Sequence, residues 1–174
     1  MLKTEELKLV SEWDKTFSKS EKVDHEKVTF VNRYGITLAA DLYKPKNASG
    51  KYPAIAVSGP FGAVKEQCSG LYAQTMAEKG YLTIAFDPSF TGESGGYPRF
   101  MASPDINTED FMAAVDFLSV REDVDPDKIG IIGICGWGGM ALNAAALDTR
   151  IKATVASTMY DICLLYTSPS PRDR

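Results

Sequence analysis

Histidine is almost missing from this sequence: His25 is the only one in 174 residues. Cysteine is nearly as scarce, and Cys68, Cys135 and Cys163 stand far apart with no pair at C-x-x-C spacing. Three scattered thiols and one imidazole exclude a disulfide framework and a His/Cys metal centre, so each thiol has to be read singly. Nowhere do roughly 18 apolar residues run together as a membrane-spanning helix requires, and the opening Met1-Leu2-Lys3-Thr4-Glu5-Glu6-Leu7-Lys8 lacks the apolar core of a signal peptide. The expected compartment is the cytoplasm, with no membrane partner. Positive charge is not in excess either: 19 Lys and Arg face 23 Asp and Glu, for a net charge of -4. No basic patch of the kind nucleic acid needs is therefore expected.

What is there suits one globular domain, with 44% hydrophobic and 24% charged residues. Residues 1–24 form a separate arm in this reading. Leu2, Leu7, Leu9, Val10, Trp13 and Phe17 make an imperfect helical stripe, which predicts a surface helix or a mobile arm. Val28 to Val31 and Leu38 to Tyr43 read as an antiparallel hairpin turned by Asn32-Arg33-Tyr34-Gly35 and closed by Lys44 to Gly50. His25 falls upstream of it, in a charged and solvent-exposed stretch.

After the hairpin the rhythm changes. Short apolar strands at Ala54 to Ser58, Tyr81 to Phe86, Ile129 to Ile134 and Lys152 to Ser157 alternate with helices at Gln67 to Lys79, Thr108 to Val120 and Gly138 to Leu147. Continuous apolar strands are buried on both faces, and helical crossovers make the sheet parallel. The expected fold over residues 25–161 is α/β: a doubly wound, mostly parallel sheet with an N-terminal antiparallel hairpin. Asn107-Thr108-Glu109-Asp110 reads as the start of one helix and Lys79-Gly80 as the stop of another. From Ile162 to Arg174 no period survives, and the segment resembles translated adaptor or vector read-through; residues 162–174 are excluded from fold reasoning, and Cys163 with them.

The chemistry concentrates in Gly133-Ile134-Cys135-Gly136-Trp137-Gly138-Gly139, between a strand and a helix. A nucleophile on such a turn needs small residues two positions before and after it. With Cys135 at the vertex the flanking positions are Gly133 and Trp137, and a thiolate there would be stabilised by the helix N-terminus. With Trp137 at the vertex they are Cys135 and Gly139, which satisfies the size rule and leaves no nucleophile. In a third reading Cys135 is simply a buried cysteine. The turn does not match the G-x-G-x-x-G pattern of a dinucleotide site, and no cofactor is expected.

Lys65-Glu66-Gln67 after Gly59-Pro60-Phe61-Gly62, then Phe86-Asp87-Pro88-Ser89-Phe90-Thr91-Gly92-Glu93-Ser94-Gly95-Gly96, Asp116-Phe117-Leu118 and Gly133-Ile134-Cys135 together resemble an α/β-hydrolase of the dienelactone-hydrolase-like branch, over about Val28 to Ser157. The resemblance implies a hydrolase of esters, lactones or similar acyl substrates that works through a covalent acyl-enzyme on Cys135. It implies an oxyanion hole from the backbone N–H groups of Gly136 and Phe61. Asp87 and Ser94 would brace the site, while Lys65 belongs to a solvated helix start or meets an anionic substrate. The partner is a small acyl molecule. A triad of this fold also needs a later Asp or Glu and then a His. After Cys135 the sequence offers only Asp148, Asp161 and Asp173 and no His, so the chain is expected to be an inactive N-terminal fragment of a hydrolase, with an apolar sheet edge after Ser157. The alternative is a non-catalytic binding protein of the same fold, with Trp137 at the nucleophile position.

Overall fold

The structure, a computed structural model, describes residues 5–46 and 50–160. Expectations about the segment from Ile162 to Arg174, including Cys163 and Asp173, and about Asp161, lie outside the described residues.

Six strands form one sheet: β1 (Val23–Val31), β2 (Thr37–Pro45), β3 (Tyr52–Ser58), β4 (Leu82–Phe86), β5 (Val124–Ile134) and β6 (Ile151–Ser157). The helices α1 (Cys68–Ala77), α2 (Pro104–Ser119) and α3 (Gly136–Leu147) connect the last four. The sheet order is β1-β2-β4-β3-β5-β6. β1, β2 and β4 pair antiparallel, whereas β3 pairs parallel with β4 and β5, and β5 with β6. Connections leave β3 in one direction and return past it in the other, which opens a crevice at the carboxyl ends of β3 and β5. The doubly wound sheet and its antiparallel hairpin are as the sequence predicts.

Two apolar layers follow from the two-residue period of the strands. Ala54, Ala56, Leu82, Ile84, Ile129 and Ile131 face α2 and α3, where they meet Phe111, Leu118, Met140 and Ala144. Ile55, Val57, Ala85, Ile132 and Ile134 face α1, through Ala73 and Ala77. Every residue of β4 is buried, as a strand covered on both faces must be. β6 lies at the open edge and leaves Val155 half exposed.

Of the two alternatives for the N-terminal arm, a surface helix or a mobile arm, the helix is not formed over residues 5–22. They run as an extended strap pinned by hydrogen bonds from Glu5 N to Thr37 Oγ1 (3.1 Å), Val10 N to Glu93 Oε1 (2.6 Å) and Thr16 N to Glu66 O (2.9 Å). Trp13 and Phe17, ring to ring at 5.7 Å, pack onto the α1 layer. Tertiary contact thus overrides a weak helical period. β1 begins at Val23, so His25 is in the sheet and not upstream of it. The side chain is not solvent-exposed but 13% accessible, bonded through Nε2 to the buried Asp41 (2.8 Å).

α2 also departs from expectation. Its N-cap is Ser103, with Pro104 in the first turn, and Asn107 to Asp110 lie inside the helix and are buried. Asp110 there accepts hydrogen bonds from Asn32, Ser89 and Asn107 at 2.7–3.0 Å, so the polar run locks the hairpin turn and the loop after β4 to the helix. Burial pushes the Asp110 carboxyl up, and the three donor residues pull against it.

At the opposite end of the sheet, Asp123 holds Arg121 (2.9 Å) and Lys44 (2.9 Å), tying β2 to the entry of β5. The Arg121 hydrogen bond outweighs partial burial and lowers the Asp123 pKa to about 2. A depressed carboxyl contributes stability above its unfolded pKa of about 3.9, and this is lost as pH falls toward 2. Solvent screening reduces the contribution to about 1 kcal/mol. Urea titrations should therefore show Asp123→Asn less stable than the parent by this amount at pH 6, with the gap closing near pH 2.

Candidate active site

β5 ends at Ile134 and α3 starts at Gly136, which leaves Cys135 alone at the vertex with φ 58° and ψ -130°. An L-residue rarely adopts this conformation, and its neighbours hold it there. Cys135 N donates to Ser157 O at the end of β6 (2.8 Å), and Cys135 O accepts from Gly138 N (2.9 Å). A Cβ on Gly133 would run into the Trp137 carbonyl and the Ala141 side chain, so only glycine fits two residues before the vertex. Two residues after it, Trp137 belongs to the first turn of α3, is 3% accessible and packs edge-to-face on Phe61 with ring centroids 4.4 Å apart. The register with Trp137 at the vertex does not occur. Bulk is tolerated there because the indole leaves the turn for the gap beside Phe61.

The loop after β3 closes the other side. The Gly59-Pro60 peptide is cis, and Gly59 (φ 101°) packs so closely on Ile134 O and Trp137 Cβ that a side chain has no room. Gly136 is equally constrained, since its Cβ would overlap the Phe61 ring. Cys135, Gly136 and Phe61, the three residues expected to act together, are thus adjacent. Gly136 opens α3, where first-turn N–H groups have no acceptor within the helix and the helix dipole favours negative charge.

Beside them lies a cleft of about 340 Å³ lined by Phe61, Val64, Phe100, Met101 and Trp137, with Arg99 at its wall. Arg99 is held there by the carbonyls of Gly92 and Ser94. Two groups that the sequence reading left aside also lie near the turn. Cys68 Sγ contacts Gly59 O at 3.7 Å, and burial pushes its thiol up, keeping it protonated. Tyr160 lies beyond β6 with its ring 6.4 Å from that of Phe61. Its signal in the sequence was its place just beyond the strand that neighbours β5.

Lys65 is neither solvated nor open to a substrate. Its ammonium is inaccessible and binds Asp87 (2.9 Å), Glu93 (2.7 Å) and Glu66 (2.5 Å). Burial opposes the charge, but the three carboxylates outweigh it and hold the Lys65 pKa above its ordinary value. Asp87 also accepts from Lys65 N (2.8 Å) and Glu93 N (2.9 Å), while Ser94 Oγ bridges Asp87 O and Ala39 N. Asp87 and Ser94 therefore brace the loops around the cleft. Asp14, Glu66 and Glu93 converge nearby, but Lys27 Nζ lies among them at 3.2, 3.7 and 2.8 Å, so the cluster is an ion-pair network.

His25 lies on β1, four strand spacings from β5, or roughly 19 Å across the sheet. Asp148 stands at the far end of α3, paired with Arg150 at 2.6 Å, whose hydrogen bond holds its carboxyl below the ordinary range. Neither reaches Cys135.

The family model of the X-Pro dipeptidyl-peptidase (S15 family) matches residues 34–165. The chain belongs to this family. It is 71% identical over 158 residues, 90% of this chain and 43% of the relative, to protein PA2218 of Pseudomonas aeruginosa. The PA2218 crystal structure superimposes with a TM-score of 0.91 over 93% of this chain and 51% of that one, at 69% identity. The thiohydrolase aneE of Aspergillus aculeatus is 33% identical over 137 residues, 79% of this chain and 42% of aneE. A putative dienelactone hydrolase of Klebsiella pneumoniae shares the fold, with a TM-score of 0.67 and 23% identity over 80% of this chain and 61% of that one. The chain thus spans less than half the length of the curated relatives it matches. The fold is that of an α/β-hydrolase, and the likeness to a dienelactone hydrolase holds at the level of the fold.

Among the described residues, no helix is long and apolar enough to cross a membrane. The close approach of Gly136 and Phe61 carries a direct expectation: Gly136→Ala forces the ring aside and costs about 1–3 kcal/mol. Urea denaturation checks this through a lowered midpoint, whereas Gly139→Ala, where a Cβ meets nothing within 4 Å, should leave the midpoint near that of the parent.

Proposed function

We propose that the protein is the nucleophile-bearing part of a longer hydrolase that cleaves esters, lactones or thioesters through an acyl-enzyme on Cys135. The observation that carries this reading is the strained backbone of Cys135 directly beside Gly136 and Phe61. The Cys135 thiolate attacks the substrate carbonyl carbon. The oxyanion that forms accepts hydrogen bonds from the N–H groups of Gly136 and Phe61, the groups that distinguish the transition state from the bound substrate. Collapse expels the alcohol or thiol and leaves a thioester on Cys135. Water then hydrolyses the thioester, releasing the acid and restoring the thiol.

The largely apolar cleft at Phe61, Phe100, Met101 and Trp137 favours an apolar acyl or leaving group over a charged one. That aneE, a relative of this chain, is a thiohydrolase supports the inclusion of thioesters. Deacylation needs a general base, worth roughly 100- to 10,000-fold, and neither His25 nor Asp148 is near enough to serve. The acid and the His belong, in this reading, to sequence that the longer relatives have and this chain lacks. The 174-residue chain accordingly acylates with an activated substrate and hardly turns over.

Incubation with p-nitrophenyl acetate, followed by peptide mass spectrometry, tests the reading. The expected result is about one acetyl group per chain, located on Cys135 and lost in Cys135→Ala. Acetylation that avoids Cys135, or that survives its replacement, would refute the assignment.

A further inference from the structure

We propose that Phe100 is a specificity-determining residue of this site: its ring walls an acyl-binding cleft and selects a medium-length apolar acyl group over acetyl. The proposal rests on the acyl-enzyme reading above and names the substrate class of that same site.

Backbone strain singles Phe100 out. Among the described residues, four that are not glycine have a left-handed φ: Phe90 (73°), Phe100 (60°), Cys135 (58°) and Thr158 (52°). Phe90 and Phe100 lie in the connection after β4, Cys135 follows β5 and Thr158 follows β6, all on the side where the crevice opens. Such strain persists only where the surroundings impose it, and it gathers at functional sites. Here the restraints are explicit. Phe90 is buried, its N–H donates to Gly95 O at 2.8 Å, and its carbonyl accepts from Phe100 N at 2.9 Å. Arg99, one residue earlier, donates to the carbonyls of Gly92 and Ser94. The loop is therefore built to hold Phe100 in one backbone conformation.

That conformation does not bury the ring. Phe100 is 88% accessible, so packing among the described residues does not offset the strain. What the ring does meet is the cleft of about 340 Å³, which Phe100 and Met101 line together with Phe61 and Trp137, the residues that flank the Cys135 turn. This volume falls in the range of small-molecule pockets, roughly 300–1,000 Å³, and far exceeds what the two carbons of an acetyl group fill. No acidic residue lines the cleft, and the Arg99 guanidinium is turned back onto two carbonyls. The acyl group stays bonded to the sulfur through both steps, whereas the leaving group departs after the first, so a cleft that abuts the turn serves the acyl chain. A chain lying against Phe100 takes the ring and its own methylenes out of water, and each methylene so buried raises kcat/KM about fourfold.

The test compares second-order acylation of Cys135 by p-nitrophenyl hexanoate and p-nitrophenyl acetate in the 174-residue protein. Each rate is divided by that of free N-acetylcysteine with the same ester, and peptide mass spectrometry separates Cys135 from Cys68 and Cys163. The parent should prefer the hexanoyl group by about tenfold or more. Phe100→Asn, which suits a left-handed backbone, should lose most of this preference, while the apolar Phe100→Leu should keep most of it. If Phe100→Asn proves unfolded, Phe100→Gly, free of the strain, takes its place. No hexanoyl preference in the parent, an undiminished preference in the Asn or Gly variant, or a Leu variant as poor as either overturns the proposal. Methyl and hexyl methanethiosulfonate repeat the comparison without acyl transfer: the thiolate attacks the thiosulfonate sulfur, forms an alkyl disulfide and expels methanesulfinate. A Phe100-dependent hexyl preference without acylation of Cys135 would refute the hydrolase reading alone, and acylation without any chain preference would refute the Phe100 role alone.

Discussion

The left-handed backbone of Cys135 is the constraint around which the rest of the structure is arranged. Holding a non-glycine residue there costs about 1–3 kcal/mol, which the surroundings must offset. They do so with two main-chain hydrogen bonds, one to β6 and one within the start of α3, and with close packing on three sides. Gly133 is small because the Trp137 backbone crosses it, Gly136 because Phe61 lies on it, and Gly59 because β5 ends against it. The crowding that fixes the sulfur also brings two N–H-bearing residues to its side.

Two buried polar networks hold the loops that frame this turn. Around Lys65, three carboxylates and two backbone N–H groups bind the loop after β3 to the loop after β4. Around Asp110, Asn32, Ser89 and Asn107 join the hairpin, the same β4 loop and α2. An ion pair out of contact with water contributes modestly to net stability but is costly to break on one side only. Such networks therefore act as locks, allowing one loop arrangement and penalising others. The strap of residues 5–22 closes over one of them through Val10 and Glu93.

The sequence disclosed the sheet because strands covered on both faces have to be mostly apolar, as β3 and β4 are. Cys135 was visible for a similar reason: Gly133 and Gly136 around one thiol mark a place where backbones meet. What stayed hidden depends on contacts distant in sequence. Asn107 to Asp110 look like a helix cap and prove to be interior, since their partners Asn32 and Ser89 lie far away in the chain. Lys65 looks like surface until Asp87 and Glu93 fold over it, and His25 looks exposed until Trp13 and Tyr43 flank it. β5 starts at Val124, earlier than its apolar run, because Asp125, Pro126 and Asp127 disguise a stretch that crosses a register shift against β3. Trp137 offended a size rule written for the backbone of the turn, and its side chain escapes the turn altogether.

The position of β3 has a consequence for synthesis. It is one of the two inner strands of the parallel region, yet its partner β5 ends 76 residues later in the chain. At about 5–20 residues per second, a ribosome needs roughly 4–15 s to deliver β5 after β3 has emerged. Throughout that interval one side of β3 is an apolar edge with unpaired backbone groups, flanked only by β4. The strand that later forms the floor of the reactive turn is thus the nascent chain's most exposed template for wrong pairing, and the order of the sheet makes a holdase chaperone most useful in that window.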